Sequence, residues 1–416
     1  MKVLFVSSHD LVGQQFNGYL LLDAMRKEGI DARMFVYHSQ ADRPGVVYKL
    51  GGKGCIFLNR RLSQVEEQLS LYSILPILSS DIMRHRFYKE ADIVHLQLIH
   101  AARFFSLLSL PKMGRQKKLV LTLHDPWMLT GHCIHPIECE RWKIGCGNCP
   151  DLQRPFPIKF DTTAFTWKIN KWLFQHTSVH LVVASQWMDQ MVANSPILSH
   201  LPRSIIPFGL DTQVFKPSNK KASRQSLGIP KDAFVVAFRA APHSPFKGYE
   251  YIEKALLNLS SKKPICLLTF DSVGQIPNLS NKFKIFELGW IIEPERMAQA
   301  LNAANLFLMP SIAEGFGMMA IESMACGTPV IAFEGTALPS VIKAPRGGLA
   351  VPSRDWEALR TAIESLINNR ELYEDLVRNG LEIVHEDYSI EKYVSRHLEL
   401  YAQLTETNSH LIGEQE

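Results

Sequence analysis

Short apolar segments alternate with amphipathic segments along most of this 416-residue chain, and this alternation limits its fold more than any other feature. In the first half the apolar segments are residues 3–6, 32–37, 92–95, 119–123 and 180–185, and a helical pattern covers residues 18–27. Segments that are apolar on both faces are typical of buried parallel strands, which need crossover helices to connect them. The pattern therefore predicts an α/β fold, with helices on both faces of a parallel sheet.

The alternation is interrupted once, by a turn rich in Pro and Gly at 205–211 and a polar linker at 214–221. It resumes at residues 234–238, 265–269, 283–288, 306–309 and 329–332. A chain of this length exceeds what one hydrophobic core usually supports. We expect two Rossmann-like, doubly wound domains facing a central cleft, with ligands at the carboxyl ends of the strands. Residues 1–205 form the first domain and residues 206–390 the second. A helix in 391–416 packs back on the first domain and ends in a polar tail.

The composition, with 46% apolar and 21% charged residues, is that of an ordinary globular enzyme. Every apolar run is shorter than the roughly 18–20 residues that a membrane-spanning helix needs. The N-terminal run at residues 3–6 is too short for the core of a signal peptide, and no small-residue cleavage site follows it. We therefore expect a cytoplasmic protein whose cysteines are reduced.

Charge is distributed unevenly along the chain. Residues 1–205 hold 24 Lys and Arg against 16 Asp and Glu, whereas the remainder holds 21 against 25. Either this is a solvated surface, or the first half approaches anionic lipid headgroups or a phosphate-bearing substrate. The basic residues are scattered and no recognition motif accompanies them, so we expect no nucleic-acid partner.

The segment 310–329 follows an apolar strand, opens with glycines, turns into a helix near Gly317 and stops at Gly327. A helix that starts this way leaves backbone N–H groups and a positive dipole end for a phosphate. Glu314 and Glu322 flank this helix start at up to about 12 Å, given a rise of about 1.5 Å per residue. That separation suits one acid at a sugar and one at a ribose, and it is too wide for a retaining glycosidase pair. The alternative is a capped core helix with two surface acids.

Glu314 and Glu322 resemble the Glu-x7-Glu motif of family 4 retaining glycosyltransferases, which have the two-domain GT-B fold. Residues 205–217 look like the interdomain signature of that family, with Phe208 where Asn is usual. Lys247 and Gly248 resemble its phosphate loop, and residues 347–355 and 388–393 resemble its C-terminal region. The resemblance spans most of residues 90–400. Within the family, the chain is similar to bacterial enzymes of cell-surface polysaccharide synthesis that carry a Cys-rich insert.

The resemblance implies a donor site in the second half. Arg239 and Lys247 look like the pair that grips the donor diphosphate, where they would stabilise the leaving nucleotide. Taken separately, each could be a surface charge. Glu314 resembles the catalytic-site residue that holds the donor sugar hydroxyls, and Glu322 resembles the ribose ligand. The resemblance also places the amides of Phe316 and Gly317 near the phosphates.

In the first half, His95 and His124 each lie at the end of an apolar strand. A His at the position of His124 lies near the donor sugar and acceptor in this family, so His124 and Asp125 are candidate catalytic residues that bind hydroxyls or assist proton transfer. His95 is either a further ligand or a structural histidine. Gly13 and Gly18 lie where the family has a Gly-Gly pair that contacts donor and acceptor.

Four cysteines with the spacing C-x5-C-x6-C-x2-C occupy the loop 132–150; they are Cys133, Cys139, Cys146 and Cys149. In an intracellular chain we expect them to hold a structural zinc, which would brace the loop and leave no open position for water. His132 or His135 could replace one cysteine. A disulfide pair, an iron–sulfur cluster and plain buried thiols are the alternatives.

The resemblance implies a retaining glycosyltransferase of hexosyltransferase type that needs no catalytic cofactor. It would move a sugar from a nucleotide sugar to a glycan or lipid-linked acceptor in the biosynthesis of O-antigen, capsule or exopolysaccharide. Such an enzyme would work in the cytoplasm, in peripheral contact with the anionic inner face of the plasma membrane. The alternatives are a GT-B epimerase or phosphorylase, and a non-catalytic zinc-braced binding module on the same fold.

Overall fold

The computed structural model describes residues 1–154 and 156–406, and within this part the chain forms two compact units. Unit 1 comprises Met1–Phe208 together with the last helix from Tyr393, and unit 2 comprises Gly209–Lys392. Each unit is built on its own parallel sheet. The polar tail predicted after the last helix lies outside the described residues.

The described residues of unit 1 form seven strands and eight α-helices. The strands are β1 (Lys2–His9), β2 (Asp31–His38), β3 (Val47–Lys49), β4 (Ile93–Leu96), β5 (Lys118–Leu123), β6 (His180–Val183) and β7 (Arg203–Ile205). The helices before the linker are α1 (Tyr19–Lys27), α2 (Lys53–Gln68), α3 (Leu78–Arg84), α4 (Arg86–Glu90), α5 (Leu110–Gln116), α6 (Thr163–Gln175) and α7 (Gln186–Ala193). Short 3₁₀ helices cover Ala101–Arg103, Leu107–Ser109, Pro126–Leu129 and Arg141–Lys143.

The strand order in unit 1 is β3-β2-β1-β4-β5-β6-β7, and every pair is parallel. The central strands are buried along almost their whole length because helices cover both faces of the sheet. The chain winds outward from β1 to one edge and then returns to β4. The boundary between β1 and β4 is therefore the point where the strand order reverses, and the loops after these strands diverge there.

Unit 2 contains the remaining six strands: β8 (Phe234–Ala240), β9 (Ile265–Asp271), β10 (Lys284–Glu287), β11 (Leu306–Met309), β12 (Val330–Phe333) and β13 (Leu349–Val351). Its helices are α8 (Lys220–Ser226), α9 (Tyr249–Leu257), α10 (Pro277–Ser280), α11 (Pro294–Ala303), α12 (Met318–Ala325), α13 (Leu338–Val341), α14 (Trp356–Asn368) and α15 (Arg370–Asp387). The parallel order β10-β9-β8-β11-β12-β13 reverses between β8 and β11.

The last helix, α16 (Ile390–Glu406), packs against the sheet of unit 1. Its buried face includes Tyr393, His397 and Tyr401. The rings of His397 and Tyr401 lie 5.5 Å and 5.9 Å from the ring of His95, which belongs to β4. A helix from the end of the chain thus completes the core of the first unit.

The predicted α/β class, with two doubly wound Rossmann-like domains, is confirmed. Helix α12 begins directly after Gly317, as the glycine-flanked pattern predicts. None of the described helices is long and apolar enough to cross a bilayer.

Two helical glycines of unit 1 offer a matched test of this packing. A Cβ atom on Gly114 in α5 would lie 2.6 Å from the carbonyl oxygen of Ser178, whereas one on Gly54 in α2 would meet nothing within 4 Å. We expect Gly114→Ala to destabilise the fold by about 1–3 kcal/mol through overpacking. Gly54→Ala should stabilise it by about 0.4–1 kcal/mol by restricting the unfolded chain. Thermal unfolding midpoints check both, and equal midpoints for the two variants would contradict the packing described.

Candidate active site

In unit 2 the loops after β8 and β11 bring together a lysine and a glutamate. The Lys247 Nζ atom donates a hydrogen bond to Glu314 Oε2 at 2.8 Å, and each side chain is about one-fifth exposed. The two residues are 67 positions apart in the chain and meet because both loops leave the sheet where the strand order reverses. Two of the predicted site residues therefore form one ion pair.

Backbone contacts hold these two loops against each other. The carbonyl oxygen of Phe246 accepts a hydrogen bond from the Ile312 amide at 2.8 Å. Gly248 has a φ of 66°, and a Cβ atom there would lie 2.0 Å from the carbonyl oxygen of Pro310. Only glycine fits a left-handed position this close to another backbone. Gly248 thus lets the loop that carries Lys247 approach the loop that carries Glu314.

Helix α12 starts beside this ion pair. Gly317 precedes it with a φ of 104° and supplies no side-chain cap, so the first turn of the helix presents backbone N–H groups. A Cβ atom on Gly317 would lie 2.4 Å from Leu338 Cδ2. The Phe316 ring packs edge-on against Tyr388 at 5.8 Å. Glu322 lies within α12 and is only 3% exposed, unlike the solvated carboxylate of a surface helix.

Arg239 lies at the end of β8 and has a different partner. Its guanidinium donates to Asp271 Oδ2 at 2.7 Å and lies 5.9 Å from the centre of the Trp290 ring. Asp271 ends the neighbouring strand β9 and pairs with Ala240 in the sheet register. Asp271 is not among the residues predicted from the sequence. An acidic residue at the end of a strand that neighbours a basic one is the signal that could have found it.

In unit 1 the segment 8–18, which covers the end of β1 and the loop after it, lies at the reversal of strand order. The Asn17 side chain donates to three carbonyl oxygens of this loop, those of His9, Asp10 and Val12, at 2.7–2.9 Å. Gly13 and Gly18 have φ values of 72° and 94°. The loop is thereby fixed from inside, and both predicted glycines occupy left-handed positions that favour glycine.

The His124 ring lies at the same edge of the sheet, after β5. Its Nε2 atom is 3.0 Å from Gln97 Oε1, and its Nδ1 atom is buried with no hydrogen-bond partner among the described residues. The ring stacks on Phe208 at 5.5 Å and lies 5.9 Å from the ring of Phe16. Burial lowers the pKa of His124 to about 3, so the imidazole is neutral at physiological pH.

Asp125 is engaged on both carboxylate oxygens. Oδ1 accepts from the Trp127 amide at 2.9 Å and caps the 3₁₀ helix Pro126–Leu129, while Oδ2 lies 3.0 Å from His100 Nε2. Burial is the largest single effect and raises the pKa of Asp125, but His100, His135 and the Trp127 amide together lower it, and the net pKa is lowered. This geometry gives Asp125 a capping role next to His124. Its part in catalysis remains a prediction.

His95 is fully buried in the sheet and not at the surface of the loops. Its Nδ1 atom lies 2.6 Å from Tyr401 Oη and its Nε2 atom 2.7 Å from Thr122 Oγ1. Burial lowers its pKa well below the usual value. Gln97, which connects His95 to His124, is not among the residues predicted from the sequence. Since residues two apart in a strand point to the same face, the spacing of His95 and Gln97 could have shown it.

The four cysteines of the loop 132–150 line one cavity, together with Trp142 and Arg154. In the described part of the chain, however, no group of three or more His, Cys, Asp or Glu side chains is arranged to hold a metal ion. Burial raises the pKa of Cys133 to about 11 and that of Cys146 to about 12, which favours neutral thiols. The structure thus does not support the predicted zinc site: the cysteines line a common cavity without forming a coordination shell.

Comparison with known proteins locates the family signal in unit 2. Residues 219–382 match the family Glycosyl transferases group 1. A D-inositol 3-phosphate glycosyltransferase of Mycobacteroides abscessus is 32% identical over 171 residues, which are 39% of this chain and 38% of that protein. D-inositol 3-phosphate glycosyltransferase 2 of Catenulispora acidiphila is 28% identical over 190 residues, which are 42% and 44% of the two chains. The matched region thus spans less than half the length of either relative.

Solved structures resemble the whole chain. Sucrose-phosphate synthase from Thermosynechococcus elongatus superposes with a TM-score of 0.67 at 19% identity, covering 98% of this chain and 100% of that one. Alr3699/HepE from Anabaena, in complex with UDP and glucose, has a TM-score of 0.68 at 16% identity and covers 97% and 100%. This chain has the GT-B fold.

The buried thiols make a prediction about reactivity. Because only the thiolate reacts with iodoacetamide and burial raises the pKa values of Cys133 and Cys146, we expect both to alkylate slowly near neutral pH. The rates should rise as the pH approaches these raised pKa values. Peptide mass spectrometry after timed alkylation measures them, with a denatured sample as the reference. Equal rates in native and denatured protein, or one zinc per chain by elemental analysis, would contradict this description.

Proposed function

We propose that the chain is a retaining glycosyltransferase that uses a nucleotide-sugar donor. The observation that carries this proposal is the Lys247–Glu314 ion pair, which lies where the strand order of unit 2 reverses and beside the uncapped start of α12. Ligands of open α/β sheets bind at such reversals. The family match covers all of these residues, since it spans 219–382.

Unit 2 supplies the groups that hold the donor. The Lys247 ammonium binds the diphosphate, together with the amides of Phe316 and Gly317 at the start of α12. When the diphosphate takes Lys247 as its partner, the Glu314 carboxylate becomes available to accept hydrogen bonds from sugar hydroxyls. Arg239 breaks its ion pair with Asp271 and binds the diphosphate instead. Glu322 binds the ribose. The complex of Alr3699/HepE with UDP and glucose supports UDP-glucose as the first donor to test.

The reaction needs no cofactor. The bond between the anomeric carbon and the diphosphate oxygen breaks, and a bond to the acceptor oxygen forms on the same face of the sugar. The proton of the acceptor hydroxyl passes to the leaving diphosphate. The main electrostatic demand is therefore stabilisation of the diphosphate, which Lys247 meets. In unit 1 the neutral His124 ring binds a substrate hydroxyl, and Asp125, Gly13 and Gly18 fix the surrounding backbone.

The acceptor is a lipid-linked glycan intermediate of cell-surface polysaccharide assembly, reached at the cytoplasmic face of the plasma membrane. An exposed surface of unit 1 supports this, and we call it the aromatic surface. It has two parts, each with exposed apolar residues. The first part is Phe57, Leu58 and Val65 of α2 with Leu69 directly after it, and the second part is Phe160, Phe165 and Trp172. The two parts adjoin at the C-terminal end of α2, because the Phe160 amide donates to Ser70 Oγ at 2.9 Å and Lys159 Nζ donates to Gln68 Oε1 at 2.6 Å.

The charge of the aromatic surface complements anionic lipid. Its apolar side chains are strongly exposed, with Phe57 at 61% and Phe160 at 62%. Basic residues accompany them on the same elements: Lys53, Arg60, Arg61, Lys159 and Lys168. Exposed aromatic residues with Lys and Arg around them are typical of proteins that lie on a membrane. The aromatic surface thus suits contact with a membrane that carries the acceptor.

The donor site is tested by Lys247→Met and Glu314→Gln. We expect each to reduce sugar transfer at least about 100-fold, the cost of removing one electrostatic contact to the developing charge. UDP release from UDP-glucose and other nucleotide sugars selected by thermal shift measures the loss. Lys254→Met is the matched control, since Lys254 is an exposed lysine of the neighbouring helix α9. Activity of either site variant at the level of the control would exclude the proposed donor site.

Membrane contact is tested by flotation with vesicles. We expect the chain to bind vesicles that contain phosphatidylglycerol and to bind phosphatidylcholine vesicles weakly. Phe57→Ser with Phe160→Ser should lower the partition coefficient at least about tenfold, since each buried aromatic contributes about 1.5–3 kcal/mol. Ile292→Ser, an exposed apolar residue of unit 2, is the control. Binding that is the same in both variants would remove the aromatic surface from the proposal.

A further inference from the structure

A chain of buried hydrogen bonds in unit 1 leads from the last helix to His124. Tyr401 Oη lies 2.6 Å from His95 Nδ1. Gln97 Nε2 lies 3.1 Å from His95 Nε2, and Gln97 Oε1 lies 3.0 Å from His124 Nε2. The amide of Gln97 therefore connects the two histidine rings, one at each of its ends.

The chemistry of the amide fixes the direction of these hydrogen bonds. The Gln97 Nε2 atom can only donate, so His95 Nε2 accepts, and its single lone pair is shared between Gln97 and the Thr122 hydroxyl. The proton of the neutral His95 ring then lies on Nδ1, where it donates to Tyr401. The Gln97 Oε1 atom can only accept, so His124 Nε2 carries the proton of that ring. The Nδ1 atom of His124 is left as a lone-pair acceptor.

Packing keeps the Gln97 side chain in place. Gln97 is 1% exposed, and its Cγ atom lies 3.0 Å from the position that a Cβ atom on Gly18 would take. His95 is held from a further direction by Thr122 Oγ1 at 2.7 Å. The glycine thus leaves just enough room for the Gln97 stem, and rotation of the amide would break contacts on both histidines.

We propose that Gln97 is a positioning residue that holds His124 in one tautomer and one orientation. The held ring presents its unprotonated Nδ1 atom as the acceptor for a substrate hydroxyl. The buried Nδ1 atom has no partner among the described residues, and buried acceptors of native proteins are rarely left unsatisfied. This inference rests on the proposed function, in which His124 binds such a hydroxyl.

The tautomer of His124 reports whether Gln97 holds the ring, and kcat reports whether the held ring serves the reaction, so both quantities are measured. Nitrogen-15 NMR of protein labelled at histidine reports the protonation of each ring nitrogen, and His124→Gln assigns the signal. We expect a neutral His124 with its proton on Nε2 near neutral pH. Gln97→Leu should give a mixture of tautomers and lower kcat by up to about 100-fold, the cost of misplacing a reacting group by about 1 Å.

The conservative variant Gln97→Glu should restore function in part. Its carboxylate still accepts the His124 Nε2–H, so we expect the tautomer to persist and kcat to recover at higher pH. The carboxylate also raises the pKa of His124, so the ring becomes protonated and kcat falls as the pH is lowered. The other titratable groups facing His124 are Asp125, His100 and His95, which are present in both proteins.

Thr177→Val is the control for loss of a buried polar contact, because Thr177 Oγ1 donates to the Leu173 carbonyl outside this network. It should leave the tautomer and kcat unchanged. A proton on Nδ1 of His124 in the wild type, or a Gln97→Leu variant with an unchanged tautomer, would overturn the proposal. The NMR result is independent of turnover: an unaltered tautomer in Gln97→Leu refutes the positioning role, whereas absence of sugar transfer by the wild type refutes the proposed function.

Discussion

Every strand in both sheets runs parallel to its neighbours, and the positions of all candidate groups depend on this constraint. Parallel strands direct all their carboxyl ends to one edge, and a doubly wound order separates the loops at a single boundary. In unit 2 this boundary brings Lys247 and Glu314 within 2.8 Å across 67 positions of sequence. In unit 1 it gathers the loop after β1, Gln97 after β4 and His124 after β5.

The two candidate sites differ in charge. Lys247 and Glu314 are partly solvated and form a pair of formal charges that a more highly charged ligand can displace. His124 and His95 are buried and neutral, and their partners are amide, hydroxyl and aromatic groups. A charged site suits a diphosphate, which needs compensation of its charge. A neutral site suits hydroxyls, for which the direction of each hydrogen bond matters more than charge.

Much of the fold was predictable from the sequence because apolar strands and glycine-bounded helices are local patterns. The sequence places Lys247 and Glu314 each in a loop after a strand, but it does not predict that they pair. Side-chain partners depend on how distant loops pack against each other. Arg239 shows the limit: the sequence places it near Lys247, whereas the structure pairs it with Asp271. The four cysteines show a second limit of prediction from the sequence. Their spacing predicts that the thiols lie close together, but it does not determine whether they form a coordination shell.

Phe208 affects which hydrogen bonds the His124 ring can form. A sequence comparison treats it only as a departure from the Asn of the interdomain signature, yet its ring stacks on His124 with an interplanar angle of 10°. An aromatic face holds an imidazole without competing for its nitrogens, whereas the amide of an Asn could bond to one of them. With Phe208 at this position, Gln97 remains the one side chain hydrogen-bonded to the His124 ring among the described residues. The aromatic residue therefore leaves the Nδ1 atom of His124 without a side-chain partner among the described residues.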